Sequence, residues 1–261
     1  MRSVRPVAGI TAITLALMVG ACDPGGTDQP TGPLVPTLAP GATPTDIPNG
    51  PEDTSVPGAS DLGIPGYDGW QLVNGEDVQV GATDAGLAMT LTRRALWFQS
   101  SQGVLFYTTI SGDFRVTSTV ETSKTSDSSQ DPGGGGITQL AGIMARAQTP
   151  QENYVFIVVG SDADGLSVET KSTTDNDTKF AGPAWPSGDA ELKLCRIGTA
   201  FSLYKRAINS GDDFTLAATY QRPDLNGTLQ VGANIYSDGT PDITALFPDL
   251  TIEPLDPGEA C

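Results

Sequence analysis

Beyond residue 60, apolar and polar positions alternate in short runs broken by Gly, Asp, Asn, Ser and Pro. "GLAMTLTRR" places Leu87, Met89 and Leu91 on one face and Thr90 and Thr92 on the other. "DFRVTSTVE" sets Phe114, Val116 and Val120 against Arg115, Thr117 and Thr119. Strand side chains alternate with period two, so both read as strands with one buried face. "LAGIMARAQ" and "NYVFIVVGS" follow, joined by "TPQE"; the second is apolar on both faces and belongs in the middle of a sheet. "GLSVETKST" returns from a "SDADG" turn, and "AELKLCRIG" and "AFSLYKRAI" flank Gly198-Thr199, so each makes a hairpin. "GTLQVGANIYS" offers Leu229, Val231, Ala233 and Ile235 to one side, and "DLTIEPL" is placed to close the sheet. No segment carries the period of an amphipathic helix. Closely spaced strands without helices between them predict an all-β fold, an antiparallel β-sandwich.

The first 60 residues follow other rules. Arg2 and Arg5 precede an apolar run, Val7 to Ala21, of about 15 residues, the length of a secretory h-region. Crossing a bilayer takes about 20. The run closes on Val19-Gly20-Ala21-Cys22, which resembles the bacterial lipoprotein signal. That resemblance implies cleavage after residue 21 and acylation of Cys22, palmitate being one such group; several acyl chains give stable anchoring. The alternative is an ordinary secreted leader with Cys22 incidental. Asp23 resembles the inner-membrane retention signal of enteric-type bacteria. Residues 23–60 have no aromatic residue, Lys or Arg, and proline recurs every few positions. Such a stretch buries too little to offset its ordering entropy, and proline keeps it extended, so it reads as a semi-stiff spacer. The expected organisation is signal 1–21, lipidated Cys22 with spacer 22–60, and sandwich 61–261. The expected location is the bacterial cell envelope, on the periplasmic face or the cell surface.

Charge and residue usage remove several functions. The chain holds 14 Lys+Arg and 31 Asp+Glu; residues 61–261 keep 12 and 26, a net of −14. That field repels nucleic acid and anionic membrane and tolerates neutral glycans, basic partners and divalent cations. Histidine is absent, which excludes Ser-His-Asp and Cys-His catalysis and imidazole zinc sites. With Cys22 assigned to lipid, Cys195 and Cys261 remain as a disulfide pair in an oxidising compartment. The alternative is a buried Cys195 and a free terminal thiol.

The ordered series "SGDFRVTSTVE", "QLAGIMARA", "NYVFIVVGSDADGLSVETKS", "ELKLCRIGTAFSLYKR" and "LQVGANIYS" resembles the concanavalin A-like lectin/glucanase superfamily, in particular its laminin-G-like jelly rolls, over most of residues 65–253. The resemblance implies a jelly roll. It leaves function open, since members bind sugars, bind calcium or hydrolyse β-glucans. The glucanase Glu-x-Asp-x-x-Glu spacing is missing, so the paired carboxylates that chemistry needs are not apparent. Asp162 and Asp164, with Asp175, Asn176 and Asp177, offer hard oxygen ligands for calcium if their loops meet; solvated polar turns explain them as well. Trp185, in "GPAWPSG", and Tyr154 are candidate sugar-contacting rings, and core or rim packing is their alternative role. Of the adjacent Trp97 and Phe98, at least one ring faces inward. The loop 123–136, with four consecutive glycines, lacks the lysine and helix of a phosphate-binding loop. The expectation is a monomeric, lipid-anchored, non-catalytic module for a glycan or another envelope protein, calcium being its one candidate cofactor. A polysaccharide hydrolase and a purely structural lipoprotein are the alternatives.

Overall fold

The computed structural model describes residues 64–99, 103–133 and 136–261. Cys22, the signal and the spacer lie outside them. Within the described residues there are fifteen strands and one 3-10 turn, Gly75–Asp77. The strands are β1 (Gln71–Val73), β2 (Val78–Thr83), β3 (Gly86–Leu91), β4 (Val104–Ile110), β5 (Phe114–Ser123), β6 (Gln139–Ala147), β7 (Asn153–Asp162) and β8 (Gly165–Thr174). They continue with β9 (Asp177–Ala181), β10 (Ala190–Ile197), β11 (Ala200–Arg206), β12 (Thr215–Gln221), β13 (Leu229–Ser237), β14 (Thr244–Phe247) and β15 (Thr251–Pro254). No helix among the described residues is long and apolar enough to cross a membrane.

The strands form two sheets. One runs β1-β4-β13-β6-β7-β8-β9 and the other β12-β11-β10-β5-β14-β3-β2, with β15 also paired to β5. Every pairing is antiparallel, including the hairpins at "SDADG" (Asp162 opposite Gly165) and Gly198-Thr199 (Ile197 opposite Ala200). The alternation read from sequence is what closes the sandwich. Leu87, Met89, Phe114, Val116, Leu192, Leu194 and Phe201 point in from one sheet; Phe106, Ile143, Val155, Ile157 and Val231 meet them from the other. Burying each such side chain is worth about 1.5–3 kcal/mol, so this layer is the main source of cohesion. The result is the antiparallel β-sandwich of jelly-roll type.

On its second edge β5 meets two strands end to end. β14 pairs with Glu121–Ser123 and β15 with Phe114–Thr117. Between them Asp249 turns outward, and its carboxylate accepts the Thr119 amide at 2.5 Å and the Thr119 hydroxyl at 3.0 Å. One aspartate thus replaces the missing ladder bonds and fixes where Leu250 and Ile252 stand. "DLTIEPL" therefore lies beside an interior strand instead of closing an edge.

The tail after β15 crosses the outer face of the same sheet. Leu255 donates its amide to the Asp113 carbonyl at 3.0 Å, and Arg115 bonds Glu253 at 2.8 Å and approaches Glu259 at 3.6 Å. Cys261 then joins the buried Cys195, with Cα atoms 5.9 Å apart. The bridge closes a loop 66 residues long, and loop-closure entropy assigns it about 4 kcal/mol. Cys261→Ser is expected to lower the unfolding free energy by about 2–4 kcal/mol in urea titrations. Equal stability of variant and parent under oxidising conditions would contradict this.

Candidate functional site

The broad outer face of the seven-stranded sheet is closed. Residues 92–99, between β3 and β4, run across it as a strap. Arg94 donates to the Asp238 carbonyl at 2.6 Å, and Ser237 donates its amide to the Ala95 carbonyl at 2.7 Å. Trp97 is fully buried under the strap, its indole N–H pointing at the Val104 carbonyl at 3.3 Å. At the far end the Gln99 amide reaches the Thr178 hydroxyl at 3.1 Å. Beneath the strap lie Tyr154, Phe156, Val158, Met144, Leu140 and Tyr236.

Charge is buried there in pairs. Lys171 Nζ sits 2.9 Å from Glu169 and donates to the Trp97 carbonyl, also at 2.9 Å. Four rings surround it at 5.1–5.6 Å: Phe156, Tyr236, Phe98 and Phe180. Burial pushes its amine below the ordinary lysine range, with Glu169 opposing. Arg146 grips Glu152 with two bonds, 3.0 and 3.1 Å, and Gln230 with a third of 2.6 Å. The charged groups are paired inside the fold, and of the four rings Phe98 and Phe180 stay exposed, Phe180 by 60%.

The open site lies at one edge of the sandwich. "IPGYDGW" makes two successive turns, with Tyr67 N bonded to Ile64 O and Trp70 N to Tyr67 O, each at 3.2 Å. Pro65 presets the first, and Gly66 (φ 85°) and Gly69 (φ 78°) take the left-handed positions that a side chain resists. Ile64 is buried and pins the segment. The turns present Tyr67 and Trp70 edge to face, centroids 5.0 Å apart, with Trp70 stacked on Phe106 at 5.0 Å. Both rings stay half-buried and line a cleft of about 590 Å³. Thr108, Thr109 and Ile110 from the end of β4 form one wall, Leu250 and Ile252 another. Burial, and then Asp249, pushes the Tyr67 phenol above its ordinary value. The cleft thus offers two aromatic rings, the Thr108 hydroxyl on the face that Phe106 and Ile110 share, and apolar walls, with no carboxylate lining it.

The residues singled out from sequence fare differently. Tyr154 is fully buried, between Phe156 (stacked, 5.5 Å) and Trp97 (edge, 5.4 Å), so it cannot meet a sugar. Trp185 is half-buried; its indole donates to the Asp189 carbonyl at 2.9 Å and Lys205 covers its ring at 4.6 Å. Of the Trp97–Phe98 pair, Trp97 is the ring inside and Phe98 remains 38% exposed. Cys195 and Cys261 are joined.

The calcium candidates do not converge. Asp162 caps the β7–β8 turn through the amides of Asp164 (2.8 Å) and Gly165 (3.1 Å). Asp175 and Asn176 hold the β8–β9 turn in left-handed geometry (φ 48° and 67°), bonded to Asn153 and Glu152, and Asp177 follows them at the start of β9. β8 separates the two turns by ten residues, roughly 30 Å of strand. The four carboxylates therefore serve two distant turns. Among the described residues no group of three or more acidic or cysteine side chains could hold a metal ion. Tyr67 and Trp70 are not among the candidate rings of the sequence; the signal that marks them is a pair of Gly-containing turns, each ending in an aromatic.

No family model matches the sequence, and no curated protein matches it. Solved structures share the fold. A protein of unknown function from Saccharomyces cerevisiae superposes with a TM-score of 0.56 at 10% identity, over 68% of this chain and 93% of that one. A xylan β-1,4-xylosidase from Bacillus halodurans C-125 gives 0.55 at 13% identity, over 70% of this chain and 36% of the enzyme. The GH43 protein BlXynB from Bacillus licheniformis gives 0.51 at 12% identity, over 71% and 37%. This chain thus spans little more than a third of those two enzymes. At such identities the likeness shows the fold alone, a β-sandwich.

The sealed tyrosine gives a pH prediction. Burial pushes the Tyr154 phenol up to about 12, against the Thr173 and Thr178 hydroxyls, and pushes Tyr236 up as well. Above pH 10 the unfolded chain loses a phenolic proton that the folded chain keeps. Stability therefore falls between pH 10 and 12, by about 1.4 kcal/mol per pH unit for Tyr154. Urea titrations across that range should show the fall, shallower in Tyr154→Phe. An identical slope in the variant would contradict the sealed face.

Proposed function

We propose that residues 61–261 are a non-catalytic glycan-binding module, held at a bacterial membrane by lipid on Cys22 and spaced from it by residues 23–60. The observation that carries this reading is the Tyr67–Trp70 cleft. Sugar rings present C–H faces that pack on aromatic rings and hydroxyls that pair with short polar side chains, here Thr108. Hydrolysis of a glycosidic bond uses a carboxylic acid and a carboxylate on either side of it, and the cleft lining has neither. The acidic surface favours neutral saccharides over anionic ones. A sandwich of this kind also occurs within a xylan β-1,4-xylosidase, which makes plant-type oligosaccharides a sensible first set of ligands.

A glycan array probed with the chain should return neutral oligosaccharides. Trp70→Ala and the near-isosteric Thr108→Val should each weaken a hit by about tenfold, the scale of one lost ring or hydroxyl contact. Undiminished binding in both variants would overturn the site, and release of reducing ends from a bound oligosaccharide would overturn the non-catalytic reading. The anchor is tested separately by Cys22→Ser, which should move the protein from the detergent phase to the aqueous phase; persistence with detergent would contradict lipidation.

A further inference from the structure

A second groove opens at the opposite edge of the sandwich, where β8 and β9 face β12. Its volume is about 490 Å³, within the range of small-molecule sites. Val168, Ala181, Pro183, Leu216 and Ala217 make it apolar, and Leu216 is 54% exposed. At one end the Tyr220 hydroxyl bonds Thr170 at 3.1 Å, between this groove and a polar pocket that includes Ser172 and Lys179.

The charged group lining the groove is Lys205, at the end of β11. It is half-buried, and among the described residues no carboxylate lies within 4.0 Å of its ammonium. Its neighbour is the Trp185 ring, 4.6 Å away. Burial alone pushes its amine below the ordinary range, and no acidic side chain opposes the shift. Carboxylates are not scarce in a chain with 31 Asp+Glu against 14 Lys+Arg. A cation kept without a counter-ion beside an open apolar wall is the complement of an amphiphilic anion. A single ammonium, with no second cation lining the groove, suits one formal negative charge.

We infer that this groove binds an aliphatic monocarboxylate, with its carboxylate on Lys205 and its chain along Leu216 and Ala217. The site is distinct from the Tyr67–Trp70 cleft and does not depend on it.

Isothermal titration of the full chain with octanoate and with octanol tests this. Octanoate should bind saturably and about tenfold or more tightly than octanol, since a charge-assisted contact is worth about that factor. Lys205→Met should remove the preference while keeping the thermal melt, Lys205→Arg should retain it, and Leu216→Ser should weaken both ligands. Trp70→Ala should leave octanoate binding unchanged. Equal affinity for octanoate and octanol, undiminished octanoate binding by Lys205→Met, or no saturable octanoate binding would each overturn the inference.

Discussion

The ammonium of Lys171 under the strap is the interaction on which the arrangement rests. Taking a lysine out of water costs several kcal/mol unless its charge is matched. Here Glu169, the Trp97 carbonyl and four aromatic rings match it together. Because one of those partners is the backbone of residues 92–99, satisfying the charge and fastening the strap are the same event. Tyr236 extends the set, its hydroxyl donating to Glu169 at 3.0 Å. With the strap down, β7 is buried by apolar side chains on both sides: Val155, Ile157 and Val159 face the sandwich core, and Tyr154, Phe156 and Val158 face the strap.

The two clefts described lie at the rims. At one rim, the turns of residues 64–70 and the Asp249-fixed corner between β14 and β15 bracket a cleft with two half-buried rings. At the other, the edge strands β9 and β12 leave an apolar groove around one uncompensated lysine. Rings sealed within the sheet, such as Tyr154, contribute stability, and rings carried on turns, such as Trp70, contribute reach.

Much of the fold was legible because each interior strand must satisfy two faces at once. The alternation in 114–120 and the doubly apolar run 153–161 located β5 and β7 directly, and the turns "SDADG" and Gly198-Thr199 gave their hairpins. The strands not foreseen are mostly short or at edges. β9 ("DTKFA") and β12 ("TLAATYQ") pair on one side only and expose most of their residues, so no periodic signal survives. β1 and β14 are three and four residues long, too short to show a period. The pairing of Cys195 with Cys261 followed from counting, whereas the fate of Tyr154 did not: a sequence does not say that residues 92–99 lie over the next sheet. For the same reason the four aspartates looked like neighbours along the chain, although β8 carries them to opposite ends.

The central claim is that Lys171 fastens the strap over an otherwise complete sandwich. Hydrogen exchange of the chain carrying Lys171→Met tests it most directly. Amides of residues 92–99, Gln99 among them, should exchange at least about tenfold faster than in the parent, while those of β6 and β7 stay slow. Strap amides as protected in the variant as in the parent would contradict the account.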